Sequence, residues 1–252
     1  MVTKGERGPA DPVDPRSPGS TSRMKHALAA FATARDEDAG GHYAWLCAAG
    51  VATLAVRGAS LLLITPAGLG TLLAASDKTS ERVADLQLTA GEGPALDAFR
   101  FGAPVLEPVM DGFSTGRWTG FAPAALDMDV QAMFAFPLQV GAIRLGALCL
   151  DGDRPGPLLQ QDLRDALLLA KTAVVSILNH LSGAPSVDGW AEEVDGYMSA
   201  VHQATGMIMV QLDTTVESAL LRLRAHSFAS GRPIASVATD VVARRLSFRG
   251  MD

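Results

Sequence analysis

Six arginines and no lysine stand among residues 199–252: Arg222, Arg224, Arg232, Arg244, Arg245 and Arg249, against Asp213, Glu217, Asp240 and Asp252. A guanidinium is a planar, permanently charged fork that meets phosphate oxygens two at a time and stacks on base planes. Such a cluster is compatible with a local anion-binding face. The whole chain of 252 residues carries a net charge of −6, so any such surface is local on an acidic protein. Four acids, Asp188, Glu192, Glu193 and Asp195, precede the arginine-rich stretch. The five histidines (His26, His42, His180, His202, His226) show no metal-ligand spacing with cysteines or carboxylates. Cys47 and Cys149 sit in apolar stretches and read as buried free thiols in a reducing compartment. No phosphate-binding Walker loop, dinucleotide fingerprint or nucleophile elbow is present, and Gly91-Glu92-Gly93 reads as a turn. No catalytic constellation is found, and the chain is not expected to be an enzyme.

The elements that must position these groups follow from composition and period. At 48% hydrophobic and 19% charged residues the composition is globular. The longest apolar run, Val51 to Leu69, is broken by Arg57 and Pro66, short of the roughly 18–20 residues of a membrane span. The first residues lack a secretory core, so a soluble cytoplasmic chain is expected. Residues 1–22, with Pro9, Pro12, Pro15 and Pro18, read as a disordered tail. Helical spacing starts near Met24, breaks from Asp36 to Gly41, and resumes over His42–Val56. Ala59–Ile64 and Gly70–Ala75 read as a hairpin, and Asp77 or Ser80 caps a helix to about Leu88. Pro94 suits the first position of a short helix. Val105–Val109 reads as a short strand, and Trp118 and Phe121 lie in a loop, where they line a ligand pocket or fill core. A short helix at Ala124–Met128 precedes a second hairpin, Ala132–Val140 and Ile143–Leu150, turning at Gly141. In its second strand Ile143, Leu145, Ala147 and Cys149 share one face. With a long helix at Leu158–Leu181, residues 23–183 predict an α+β domain: an antiparallel sheet with flanking helices.

Ser182 to Ser186 marks a boundary, and residues 187–252 predict a small all-α domain of three helices. In its first helix Trp190, Val194, Tyr197, Val201, Ala204 and Ile208 recur at spacings of 4, 3, 4, 3 and 4. That is a heptad seam, and Trp190, Val194, Tyr197 and Val201 are expected to hold a homodimer, parallel or antiparallel. Thr214-x-x-Glu217 reads as a capping box, Gly231 as a stop and Pro233 as the start of the third helix. Ala204 and Gly206 allow close approach by a partner helix or by an RNA backbone. Arg222, Arg224 and Arg232 surround the corner of the last two helices and are expected to share one face. Arg244-Arg245 serves a helix C-terminus or a phosphate.

The stretch from Met198 to Val242 resembles an ANTAR domain, the RNA-binding output module of transcription antiterminators. Val201-His202-Gln203-Ala204-Thr205-Gly206-Met207-Ile208-Met209, Glu217-Ser218-Ala219, Leu223-Arg224, Arg232 and Val237-Ala238 before Val241-Val242 carry the resemblance. Asp38 to Leu181 resembles a GAF domain, a ligand-sensing α+β fold, on Leu72-Leu73-Ala74-Ala75-Ser76-Asp77, Gly91-Glu92-Gly93-Pro94 and Leu145-Gly146-Ala147-Leu148. Together they are similar to the GAF–ANTAR regulators of actinobacteria. The resemblance implies a signalling protein whose first domain senses a small molecule or a signalling partner, of unknown identity, and controls a dimeric module that binds RNA stem-loops in antitermination. Ala204, Gly206, Arg222, Arg224, Arg232, Arg244 and Arg245 are the candidate RNA contacts. A basic residue is common in the family where Thr205 and Gln211 stand, so Thr205→Lys is expected to tighten RNA binding. Those two neutral residues also leave open a module that binds a protein instead of RNA. Some GAF proteins reduce methionine sulfoxide, but neither Cys47 nor Cys149 has an evident basic neighbour to activate it.

Overall fold

The computed structural model describes residues 20–249 apart from 35–41, 67, 142 and 184–186, with side chains at 20–22, 34, 114–115, 179–183 and 187–199 left out. Most of the expected tail, the break at Asp36–Gly41 and part of the expected boundary thus lie outside the described residues.

The sheet follows from the two hairpins. β1 (Gly58–Ile64) pairs with β2 (Gly70–Ala75), and β4 (Ala132–Val140) with β5 (Ile143–Gly152). β1 also pairs with β5, and β3 (Val105–Glu107) with β4, giving the antiparallel order β2-β1-β5-β4-β3. Alternation sends Leu148 and Leu150 to one apolar cluster and Ala147 and Cys149 to the other. Leu145 departs from the expected alternation, packing at the margin of the first cluster. The register explains it: Leu138 faces Gly146 but Gln139 faces Arg144, so Leu145 is an extra residue and the pleat slips by one.

Three helices cover one sheet face: α1 (Ser20–Ala34), α2 (Ala44–Thr53) and α7 (Gln160–Gly183). α3 (Lys78–Ala90), α4 (Pro94–Phe101) and α6 (Ala122–Leu126) cover the other, and α5 (Gly112–Arg117) lies exposed beside α6. Asp77 caps α3 by accepting from the amides of Thr79 and Ser80 at 2.8 and 3.0 Å. Pro94 opens α4, as its missing N–H requires. Asp151 takes a 2.7 Å ion pair from Arg57 and a 2.8 Å bond from the Ser80 hydroxyl, joining β5 to the residue that leads into β1 and to α3. Burial pushes its carboxyl above the usual range against both partners. Trp118 and Phe121 fill core. Both are buried, meeting edge to face at 6.3 Å, with the Trp118 indole N–H 3.0 Å from Asp97. They pack in one cluster with Val83, Leu96 and Met133.

The chain ends in α8 (Val187–Leu212), α9 (Val216–Ser230) and α10 (Ile234–Val242). Val201, Ala204, Ile208, Ala219, Leu223, Val237, Ala238 and Val241 close one apolar core. The N-cap of α9 is Thr215, whose hydroxyl accepts from the Ser218 amide at 3.2 Å, one residue later than the expected Thr214. Among the described residues no helix is long and apolar enough to cross a membrane.

Candidate nucleic-acid interface and the contact between the two units

A groove of about 770 Å³ runs between α8 and the segment after α10. Gln203, Gly206, Val210 and Gln211 line it from the helix, and Arg244 and Arg249 from the opposite wall. A Cβ built on Gly206 meets nothing within 4 Å, so this glycine leaves a wall open and does not serve close packing within the chain. Arg244 sits in the left-handed region at φ +58° with its side chain exposed. That backbone reversal folds the last residues across α8 instead of extending α10. Gln211 fixes the return, its side-chain carbonyl accepting from the Phe248 amide at 2.8 Å. Phe248 is buried in the helical core, and His226 meets its ring edge to face at 5.4 Å. Spacing does not single out Arg249, because only this fold-back brings it beside Gly206.

The other expected contacts are dispersed. Ala204 is fully buried and packs α8 against its neighbours, out of reach of RNA. Val201 is equally a core residue, so the lower half of the expected dimer seam faces this chain's own α9 and α10. The side chains of Trp190, Val194 and Tyr197 lie outside the described residues. Arg222 is exposed on α9. Arg232 and Arg245 instead close on Asp240, at 2.6 and 2.7 Å, and Arg232 also reaches the Ser236 hydroxyl. Those two guanidiniums, Arg232 the stronger, hold the Asp240 carboxyl below the usual range.

Arg224 points the other way, into the first unit. Its Nη2 donates to the Gly68 carbonyl at 2.6 Å, in the turn between β1 and β2. Gly91, in the turn after α3, has φ +72°, and a Cβ there would stand 2.8 Å from Arg224 Nη1. Burial, with Arg100 nearby, lowers the Arg224 pKa, and its Nε is buried without a hydrogen-bond partner among the described residues. Beside it Leu69 leaves the first unit's hairpin to join the apolar core of α8–α10. The three arginines expected to share a face therefore do not: Arg224 is spent on docking and Arg232 on Asp240, while Arg222 is exposed with no ion pair among the described residues.

Gly91→Ala tests this docking. It forces alanine into a left-handed backbone and places a methyl against the guanidinium. The backbone amides of Thr65, Gly68 and Leu69 should exchange hydrogen about tenfold faster, matching Arg224→Ala, which deletes the charged bond to Gly68. Equal protection in both variants and wild type would show that Arg224 does not hold the units together.

Among the described residues no group of histidine, cysteine and carboxylate side chains could hold a metal ion. Both cysteines are buried, and burial pushes each thiol up to about 12. They are held protonated, the wrong state for a nucleophile.

Comparison with known proteins assigns the two units separately. Residues 198–242 match the family model of the ANTAR domain. Gln203, Gly206 and Gln211 fall within that stretch, whereas Arg244 and Arg249 lie beyond it. The GAF domain of a phosphoenolpyruvate-protein phosphotransferase from Coxiella burnetii has a similar structure, at 16% identity and TM-score 0.51, covering 65% of this chain and 98% of that one. The corresponding GAF domain from Acinetobacter is 12% identical, at TM-score 0.48, covering 68% and 99%. No curated protein sequence matches the chain significantly. The chain has a GAF-like fold with a five-stranded antiparallel sheet, followed by an ANTAR region of helices.

Proposed function

We propose that this protein is a cytoplasmic, non-enzymatic regulator whose C-terminal helices bind a stem-loop in nascent RNA, in transcription antitermination, under control of the GAF-like unit. The observation that carries the reading is the groove of Gln203, Gly206, Arg244 and Arg249 on a module matched to the ANTAR family. An open glycine wall facing two guanidiniums suits a phosphate backbone, with amide side chains in reach of loop bases. Arg222 adds an exposed cation on the neighbouring helix. The heptad positions Trp190, Val194 and Tyr197 in α8 remain the basis for a homodimer. The GAF-like unit senses a small molecule or partner, and the Arg224 contact is the route by which its state reaches the output helices.

RNA crosslinked to the full-length protein in its own cells should be enriched in stem-loops, and a recovered hairpin should bind in vitro with affinity falling as salt rises. A second reading rests on the ion pairs of Arg232 and Arg245, which withdraw two cations from any RNA face. If no salt-dependent RNA binding is found and a protein co-purifies, the module is a protein-binding device.

A further inference from the structure

A second cleft, of about 570 Å³, opens between α3 and α6 of the first unit and the corner between α9 and α10. This volume falls within the range of small-molecule sites, commonly about 300–1,000 Å³. Leu86 and Met128 line it from one unit, Phe228 and Pro233 from the other. Phe228 is half-exposed there, a large apolar ring left partly uncovered at the cleft. Four charged side chains also line the cleft: Arg82, Asp85, Asp127 and Arg232. Arg232 is committed to Asp240 and Ser236. Arg82 and Asp127 are exposed. Asp85 differs from these three. It is half-buried on α3 and makes no ion pair or hydrogen bond among the described residues. Burial, reinforced by Glu81 one turn before it, pushes its carboxyl up to about 6. Near neutral pH it is therefore a poorly solvated anion whose missing partner is a cation.

We propose that this cleft binds a small primary amine with an apolar body, its ammonium on Asp85 and its body between Leu86, Met128 and Phe228. The site is complete only while the two units are docked, since each supplies one wall. Occupancy accordingly favours the docked arrangement, in which Arg224 is held on Gly68. An RNA that requires the units to part is then bound more weakly, a consequence that rests on the RNA reading above.

The test is calorimetric titration of the full-length protein at pH 8 with phenethylamine, butylamine and, as the charge-reversed control, phenylacetate. Phenethylamine should bind saturably at one site, butylamine more weakly and phenylacetate not at all. Asp85→Asn should weaken phenethylamine about tenfold or more. Phe228→Ala, from the opposite wall, should weaken it about fivefold. Removing an unpaired carboxylate should leave Asp85→Asn at least as stable as wild type, so a lost signal there reports on the site and not on folding. The proposal is overturned if neither amine binds wild type, if both variants bind phenethylamine unchanged, or if phenylacetate binds equally well. Hairpin affinity measured with and without phenethylamine then tests the coupling: unchanged affinity overturns the regulatory clause alone. Should the protein bind no RNA, the calorimetric titration still decides whether the cleft takes an amine.

Discussion

Thr205→Lys will lower the melting temperature of the helical module by roughly 10–20 °C and abolish RNA binding, the reverse of the gain expected from the sequence. Thr205 is 3% exposed and its hydroxyl is bonded to the Val201 carbonyl at 2.7 Å within α8. A lysine there either buries an ammonium or forces the helix outward. An unpaired buried charge costs several kcal/mol, and about 3 kcal/mol is worth some 10–20 °C for a small domain. Differential scanning calorimetry of the full chain reads the transition, and filter binding to the hairpin reads the function. A variant that melts like wild type and binds RNA more tightly would place residue 205 on the surface. Gln211, the other position where a cation was expected, acts as an acceptor for the Phe248 amide, a task no ammonium or guanidinium performs. Both departures from the family pattern thus have packing reasons.

The second large effect concerns the groove. Arg244→Asn with Arg249→Ala should flatten the dependence of log K on log salt by about 1.4–1.8 units, two contacts at roughly 0.7–0.9 each, and weaken hairpin binding about 10- to 100-fold. Asparagine is chosen at 244 because it tolerates the left-handed backbone there. Helicity should be unchanged, since both side chains are exposed. The triple change Arg222→Ala, Arg224→Ala, Arg232→Ala should flatten the slope by only about one unit, because Arg224 and Arg232 already have partners in the chain. A larger effect for the triple than for the double variant would return the RNA face to the α9–α10 corner.

The fold was legible wherever period and punctuation agree. Strand alternation, the Asp77 cap, Pro94 at a helix start and the glycine stop at Gly231 all act within a few residues, and sequence records them directly. The site was legible in its residue types but not in its grouping. The stripe Val201, Ala204, Ile208 has the same period whether it packs on a second copy or on α9 and α10, so spacing alone cannot choose. Equally, nothing local in Leu223-Arg224 distinguishes a guanidinium facing solvent from one reaching a carbonyl 156 positions away. Arg249 joins the groove only through the positive φ of Arg244 and the Gln211 tether, neither of which has a sequence signal.

Leu69 bears on how this protein can be dissected. It belongs to the first unit by sequence and to the last three helices by packing. A fragment starting near residue 187 would carry an unfilled socket where that leucyl group sits, with apolar walls facing water and Arg224 stripped of its carbonyl. Such a fragment would be prone to self-association, and its guanidinium would be available to any anion in the assay. RNA affinity measured on the severed helices would therefore overstate what the intact chain does, and an oligomer seen there would not establish the natural one.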